Sequence, residues 1–281
     1  MKNSYLTKVS VGFLLYVPII LAGCCINTGC LPQAKYERTV QLTAPVPAGT
    51  TFGAETHNGS ITIRGAATAD CNLIATIIAQ AGSEEEAKKL AEQTKISLQP
   101  SSGRLTVNVE KPVLLNNQSV NVSFDAMVPN QTSLQFATHN GNVEITNITG
   151  KINAATHNGS IIIRQICGNI ELNSHNGQIT CQEISGDTKI GSHNGGIEAL
   201  YSKNAPSVCN ISIVTHNGNI SLTTPPNLSA AANISTHNGS ISTDLPITVI
   251  GNLDHNKLAG TIGTGQGKLY LETHNGLIKI N

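Results

Sequence analysis

Histidine is the residue of this chain whose type and spacing most clearly suggest chemistry. The chain has 9 His, and eight of them begin a His-Asn-Gly tripeptide, at residues 57, 139, 157, 175, 193, 216, 237 and 274. The ninth, His255, begins His-Asn-Lys. A neutral imidazole is a common ligand of zinc, copper and nickel, and it gains a proton near a pH of about 6.5. A group of imidazoles could therefore bind metal ions or protons.

The intervals between the tripeptides indicate how the imidazoles are arranged. From residue 139 onward they are 18, 18, 18, 23, 21, 18 and 19 residues long. A repeat of this kind predicts a solenoid whose coils stack about 4.8 Å apart, so the imidazoles should form one exposed row. We place the candidate metal site in the evenly spaced part of the row, at His139, His157, His175 and His193.

Three interpretations of the row remain open at this stage. In the first, exposed rings simply stack on their equivalents in the next coil. In the second, neighbouring coils share a metal ion, in a shallow site because Asp254, beside His255, is the only carboxylate directly adjacent to a His. In the third, the Thr-His-Asn rows bind ice or a mineral surface.

Enzymatic chemistry is not indicated by the sequence. Every His occupies the same place in its repeat, so none is singled out as the base beside a nucleophile. The acidic residues are scattered, apart from Glu84–Glu86 on a predicted helix, and no carboxylate pair suggests glycoside cleavage. We therefore expect a non-enzymatic protein without a cofactor, and a polysaccharide-active enzyme is the weakest alternative.

Two segments of alternating apolar and polar residues in each repeat predict the elements that position the row. One follows each Gly, as in Ser160–Ile163, and the other precedes each His, as in Lys151–Thr156. Such alternation is typical of strands with one buried face. We expect Asn-Gly to turn the chain with a positive φ, in repeat turns formed by Asn140 and Gly141, Asn158 and Gly159, Asn176 and Gly177, and Asn194 and Gly195. Glycines 150, 168 and 186 mark the opposite corner.

The alternation also predicts which side chains point inward. Ile145, Ile163 and Cys181 should stack in one internal column, and Ile152, Ile170 and Thr188 in another. A small polar column should lie directly before the His row, at Thr56, Thr138, Thr156, Ser174, Ser192, Thr215, Thr236 and Thr273. Each His, one place later, should point outward.

The first part of the solenoid is predicted to be interrupted by an α+β insertion. Residues 40–57 match residues 122–139 without a gap, at an offset of 82. Between the two copies, Ser83 and Glu86 form a capping box that predicts one helix, with strands near 72–79, 95–99 and 104–109. The expected fold is all-β, a single-stranded parallel β-helix (β-solenoid) of about 18-residue coils with a small α+β part. This part spans 40–138, and the His-Asn-Gly repeats span 139–281.

The N-terminal residues predict localisation to the cell envelope. Lys2 and Lys8 precede an apolar run over 9–21, as in a signal peptide spanning 1–23, and residues 24–39 read as a tether. Leu21-Ala22-Gly23-Cys24 resembles the lipobox of bacterial lipoproteins. The resemblance implies cleavage before Cys24, its lipidation, and delivery to the outer membrane, because the next residue is Cys25 and not Asp. Cys25 and Cys30 could pair in the tether.

Composition excludes one class of partner. The chain has 17 basic and 17 acidic residues and no Trp, and only 3% of its residues are aromatic. A neutral chain with few aromatic rings is not expected to bind nucleic acid.

The chain resembles the bacterial "putative adhesin" domain family in four features. These are a small polar residue that alternates with Asn-Gly, the Ile-x-Ile segments, the Val-Pro-led strand and the helical insertion. The family is a group of β-solenoids of undefined function, often tethered to a membrane, and the resemblance covers residues 37–281. It implies no catalytic residues, and the repeated His is a departure from the family pattern. We therefore expect a membrane-anchored, adhesin-like or scaffolding protein of the envelope, with a surface protein or polysaccharide as partner. The alternative is a metal-binding envelope protein.

Overall fold

The computed structural model describes residues 33–249 and 255–281. The predicted signal peptide, the lipidation site Cys24, and the possible pair Cys25 and Cys30 lie outside the described residues. Asp254 does as well. Within the described residues, no helix is long and apolar enough to span a membrane.

The elements of the described chain are 23 strands and one helix. The strands are β1 (Ala34–Pro45), β2 (Thr51–Asn58), β3 (Ile61–Ala66), β4 (Asp70–Ala81), β5 (Lys95–Ser101), β6 (Arg104–Glu110), β7 (Ser119–Pro129), β8 (Ser133–Asn140), β9 (Val143–Thr149), β10 (Ile152–Thr156), β11 (Ile161–Cys167), β12 (Ile170–Ser174), β13 (Ile179–Ser185), β14 (Thr188–Asn194), β15 (Ile197–Tyr201), β16 (Asn210–Asn217), β17 (Ile220–Thr223), β18 (Ala230–Asn238), β19 (Ile241–Thr243), β20 (Ile247–Val249), β21 (Lys257–Ile262), β22 (Gly267–Asn275) and β23 (Ile278–Ile280). The helix α1 (Glu84–Gln93) lies between β4 and β5.

The strands form two mostly parallel sheets, and each coil of the solenoid contributes one strand to each sheet. Sheet A has 11 strands in the order β1-β4-β7-β3-β9-β11-β13-β15-β17-β23-β19. Sheet B has 12 strands in the order β20-β21-β18-β22-β16-β14-β12-β10-β8-β2-β6-β5. The predicted β-solenoid is confirmed.

The core lies between the sheets and consists of the inward columns that the alternation predicts. Ile163 is paired with Ile145 on one side and with Cys181 on the other, and Ile170 is paired with Ile152 and Thr188. All of these side chains are buried. Burial of apolar side chains in continuous columns supplies the main favourable free energy of the fold, because each coil alone has only one apolar face.

The α+β insertion is found where the sequence predicts it. The register between β2 and β8 has the expected offset of 82, with Thr56 opposite Thr138. Ser83 accepts a hydrogen bond from the Glu86 backbone N–H and caps the helix, which packs against β1 and β4. At the other end of the helix, the Arg38 guanidinium donates to the carbonyl oxygens of Ala91 and Thr94, at 3.0 and 3.2 Å.

Two expectations about chain organisation are wrong. The tether was expected to reach residue 39, but β1 begins at Ala34 and pairs along its whole length with β4, so residues 34–39 belong to the fold. The coils were also expected to stack in sequence order. The last coil, β22 and β23, instead lies between the coil of β16 and β17 and the coil of β18 and β19. The residues before it form β20 and β21, which extend the end of sheet B in antiparallel fashion.

Candidate functional site: the histidine–asparagine row

Eight imidazoles form a continuous row along one corner of the solenoid. In spatial order they belong to His57, His139, His157, His175, His193, His216, His274 and His237, and all are exposed. Neighbouring ring centroids lie 4.7, 4.7, 4.5, 4.8, 5.0, 4.8 and 4.6 Å apart. The spacing follows directly from the strand separation in sheet B, because each His stands at the end of a strand in register with its neighbours.

The four residues of the candidate metal site are consecutive members of this row, so the structure brings them together as expected. The row also extends beyond them at both ends, to His57 and to His216, His274 and His237. The longer interval of 23 residues before His216 predicts a bulge in that coil. The structure has its widest spacing there, 5.0 Å, but the row continues. The loop at 202–209 takes up the extra residues without displacing the corner.

One ring of the row is oriented differently from the others. His175 is rotated by 75° from His157 and by 71° from His193, whereas the other pairs are stacked within 28°. Its pKa is lowered from the ordinary value, first by partial desolvation and then by the charges of His157 and His193. Adjacent imidazolium ions repel one another, so protonation of one ring opposes protonation of the next.

The asparagine that follows each His forms a second ladder beside the imidazoles. Each side-chain amide donates to the amide oxygen of its neighbour at 2.7 or 2.8 Å, in the order Asn58, Asn140, Asn158, Asn176, Asn194, Asn217, Asn275 and Asn238. A stacked amide ladder of this kind satisfies one donor and one acceptor per rung and fixes the side chains of the corner. The sequence indicated the Asn positions as turn residues but not this hydrogen-bond chain.

The small hydroxyl residue before each His joins neighbouring turns from the inside. Seven of these hydroxyls donate to the carbonyl oxygen of a turn glycine in the adjacent coil, over 2.8 to 3.3 Å. Thr56, in the first coil, donates instead to Val122 O at 2.8 Å. Most members of the column are buried as predicted, while Thr56 and Ser192 are half-buried. The hydroxyl column therefore fixes the turn that carries the His and the Asn.

The turn glycines are required for a reason other than the one expected. A positive φ was predicted, but none of the eight His-Asn-Gly glycines has one. A Cβ built on them would lie only 1.7 to 2.2 Å from a carbonyl oxygen of the adjacent coil. Glycine is needed because the stacked backbones approach too closely for a side chain. Positive φ angles occur at the opposite corner instead, at Gly168 and Gly186, as the second set of glycines indicated.

The row offers free ring nitrogens but no enclosed metal site. Within the described residues, no group of three or more His, Cys, Asp or Glu side chains is placed to hold a metal ion. In that same part of the chain, the eight imidazoles make ring contacts with one another and no hydrogen bond to another protein group. Any ion would therefore be held by neighbouring imidazoles and water.

The four cysteines of the described chain form no disulfide with one another. Cys71, Cys181 and Cys209 are buried and free, and Cys167 is exposed and free. Burial raises the pKa of Cys71 to about 12 and that of Cys209 to about 11, so both thiols stay protonated. Burial also raises the pKa of Cys181, which was predicted as a small apolar core residue.

The family model of the Toastrack DUF4097 domain matches residues 35–281. The chain belongs to this family. The match begins one residue after the start of β1 and thus takes in residues 35–39, the last part of the segment predicted as a tether. The family is one of unknown function, so membership gives the architecture and no activity.

Two solved structures are similar to this Toastrack domain. One is a putative cell adhesion protein from Clostridium sporogenes, 12% identical, covering 89% of this chain and 99% of its own, with a TM-score of 0.39. The other is a putative adhesin from Bacteroides fragilis, 13% identical, covering 87% of this chain and 97% of its own, with a TM-score of 0.43. None of the curated proteins matches the sequence.

Proposed function

We propose that this protein is a lipid-anchored, non-enzymatic component of the bacterial envelope whose histidine–asparagine row is an adhesive or scaffolding surface. The observation that carries the proposal is the regularity of the row: eight His and eight Asn side chains stand outside the fold at one strand spacing. Such a surface suits a partner that is itself extended and repetitive, such as a polysaccharide or a fibrous surface protein.

The rigidity of the row supports a role in binding rather than in catalysis. The Asn side chains are fixed by their ladder and the turns by the hydroxyl column, so few side-chain rotamers remain to be ordered when a partner binds. The outer surface elsewhere also carries exposed charge pairs, such as Arg64 with Asp125 at 2.9 Å and Lys189 with Glu171 at 3.2 Å. A groove at the far end is lined mainly by apolar residues, including Tyr201, and its charged side chains are Glu183 and Lys203.

The anchor is tested by changing the residue that would carry the lipid. Wild type expressed in a bacterium should incorporate labelled fatty acid and sediment with membranes, whereas Cys24→Ser should do neither. Equal labelling of the two proteins would refute lipidation at Cys24.

The binding surface is tested with a variant that carries Gln at His139, His157, His175 and His193. Gln keeps a polar side chain at each position but cannot reproduce the stacked rings. Cells displaying wild type should adhere and aggregate more than cells with no protein, and the four-Gln variant and Cys24→Ser should both lose this gain. Full adhesion by the four-Gln variant would exclude these four imidazoles as the binding surface.

Metal binding is the second candidate function, favoured by the ring spacing. Zinc and imidazole nitrogen are about 2.0–2.1 Å apart when bound, so two imidazoles on one ion place their nitrogens at most about 4.2 Å apart. Neighbouring ring centroids are 4.5 to 5.0 Å apart, so adjacent imidazoles are near enough to share one ion once both rings rotate to point a nitrogen lone pair at it.

Calorimetry with zinc, copper and nickel distinguishes this candidate from an adhesive surface. Metal binding predicts heat that is lost in the four-Gln variant and that declines as the pH falls below about 6.5, because only neutral imidazole is a ligand. Identical titrations of wild type and variant would exclude His139, His157, His175 and His193 as the metal site.

A further inference from the structure

The loop between β6 and β7, residues 111–118, presents three consecutive apolar side chains to solvent. Val113 is 93% exposed, Leu115 is 65% exposed and Leu114 is 37% exposed. The other large exposed apolar residues of the described chain are isolated in sequence: Ile74, Met127, Val208, Val214, Tyr270 and Leu277. Clustered apolar exposure of this kind marks a surface that is covered by something else.

The base of the loop is held by hydrogen bonds, so the apolar tip has a defined position. The Gln118 N–H donates to Leu115 O at 3.0 Å, and the Leu115 N–H donates to the Gln118 side-chain oxygen at 3.1 Å. Lys111 donates from Nζ to Val120 O at 3.1 Å, and its burial lowers its pKa. The loop therefore presents its leucines and valine from a fixed base.

The position of the loop indicates what covers it. Gln33, the first described residue, donates from its side-chain amide to Asn117 O at 3.0 Å. The predicted lipidation site Cys24 precedes Gln33 by nine residues (33 − 24 = 9). Nine residues span at most about 32 Å when fully extended, so a lipid on Cys24 keeps this end of the solenoid at the bilayer.

We propose that the 111–118 loop docks on the lipid bilayer and inserts Val113, Leu114 and Leu115 among the acyl chains. The proposal rests on the proposed lipid anchor, which would supply the proximity while the loop sets the orientation. Apolar side chains gain free energy by leaving water, and the polar Asn116 and Asn117 that follow them suit the headgroup layer.

The charges around the loop favour a neutral lipid surface. Asn117 lies close to Gly82, which directly precedes the helix cap, and the first turn of the helix is acidic at Glu84, Glu85 and Glu86. These carboxylates would repel anionic headgroups. We therefore expect the loop to insert into zwitterionic phosphatidylcholine and to do so without a strong dependence on salt.

The absence of Trp from the chain allows a site-specific test. The full-length protein carrying Leu115→Trp is purified from bacteria and reconstituted into phosphatidylcholine vesicles with and without brominated acyl chains, which quench a Trp in contact with them. The matched control is Leu277→Trp, because Leu277 is 53% exposed and lies near the other end of the solenoid. Flotation and fatty-acid labelling report separately on the anchor.

The proposal predicts that the emission of the Trp at 115 shifts to the blue and loses at least half its intensity in brominated vesicles, while the Trp at 277 is unchanged. Leu115→Trp combined with Val113→Ser and Leu114→Ser should lose most of the quenching while still floating with the vesicles. Unquenched Trp at 115 overturns docking if the protein floats with the vesicles or, for unlipidated protein, if it persists at high vesicle concentration. Failure to incorporate fatty acid overturns the anchor alone, and quenching of the unlipidated protein at high vesicle concentration would still support the loop.

Discussion

Gly195→Ala is the sharpest test of how the turns are stacked, because the next residue, Gly196, provides a matched control. A Cβ on Gly195 would lie 2.1 Å from Gly177 O and 2.6 Å from Gly177 C. The nearest atom to a Cβ on Gly196 is Asn219 O, at an ordinary 3.5 Å. Both glycines lack a positive φ, so the two substitutions differ in steric contact alone.

The expected loss follows from what the new methyl group separates. The turn must move away from Gly177 to relieve this contact. The movement stretches two hydrogen bonds, from the Ser192 hydroxyl to Gly177 O, already 3.3 Å long, and from the Asn194 side chain to the Asn176 side chain, 2.8 Å long. Overpacking costs about 1–3 kcal/mol and each of the two lost hydrogen bonds about 0.5–1.5 kcal/mol, so we expect Gly195→Ala to lower the unfolding free energy by about 2–6 kcal/mol. Gly196→Ala should be neutral or stabilising by up to about 1 kcal/mol.

Guanidinium denaturation followed by far-ultraviolet circular dichroism measures the difference between Gly195→Ala and Gly196→Ala. Stacked coils can unfold in steps, so amide hydrogen exchange at Asn194, whose N–H donates to His175 O at 2.7 Å, reports on the affected turn itself. Faster exchange is expected for Gly195→Ala alone. Equal stability of the two variants, within about 0.5 kcal/mol, would refute close backbone contact as the reason for the turn glycines.

Two further predictions concern the core register and the row. Ile163→Asp should lower the unfolding free energy several times more than Ile162→Asp does. Ile163 is fully buried, whereas Ile162 faces outward between Glu144 and Thr180. Similar melting temperatures of the two variants would mean that the inward register is wrong. Because the pKa of His175 is lowered in the fold, the unfolded chain binds that proton more readily, and stability should fall as the pH drops below about 6.5. In an NMR titration, Gln at both neighbouring His positions should raise the pKa of His175, and an unchanged value would exclude ring–ring repulsion.

The sequence predicts most of the solenoid because its signals are local and repeated. Alternation identifies the strands, and an interval of 18 residues places Ile163 between Ile145 and Cys181 without any knowledge of the rest of the chain. The capping box identifies the helix for the same reason, since Ser83 and Glu86 are only three residues apart. The exposed His row follows directly from these assignments.

What the sequence does not predict depends on contacts between distant residues. The order of the last coils cannot be read from the intervals. Both β18 and β22 end in the same Thr-His-Asn segment as β16, so the sequence does not show which of them pairs with β16. The reason for the turn glycines was missed because Asn-Gly has a familiar local explanation in hairpins, whereas the actual constraint is a backbone in the neighbouring coil. The 111–118 loop has no repeat pattern. Its position near the N-terminal end of the described chain is shown only by the contact between Gln33 and Asn117, which are far apart in sequence.

The insertion of the last coil between two earlier ones has a consequence for how the chain folds during synthesis. The strands from β7 to β17 can stack as they emerge, each beside a strand already made, but β18 has no parallel neighbour until β22 has been made. A ribosome that stops after β17 and before residue 267 leaves one edge of β16 unpaired, and an unpaired parallel edge is open to aggregation and proteolysis. Only a chain translated through β23 can close the gap in both sheets, so interrupted products should be removed while complete ones persist.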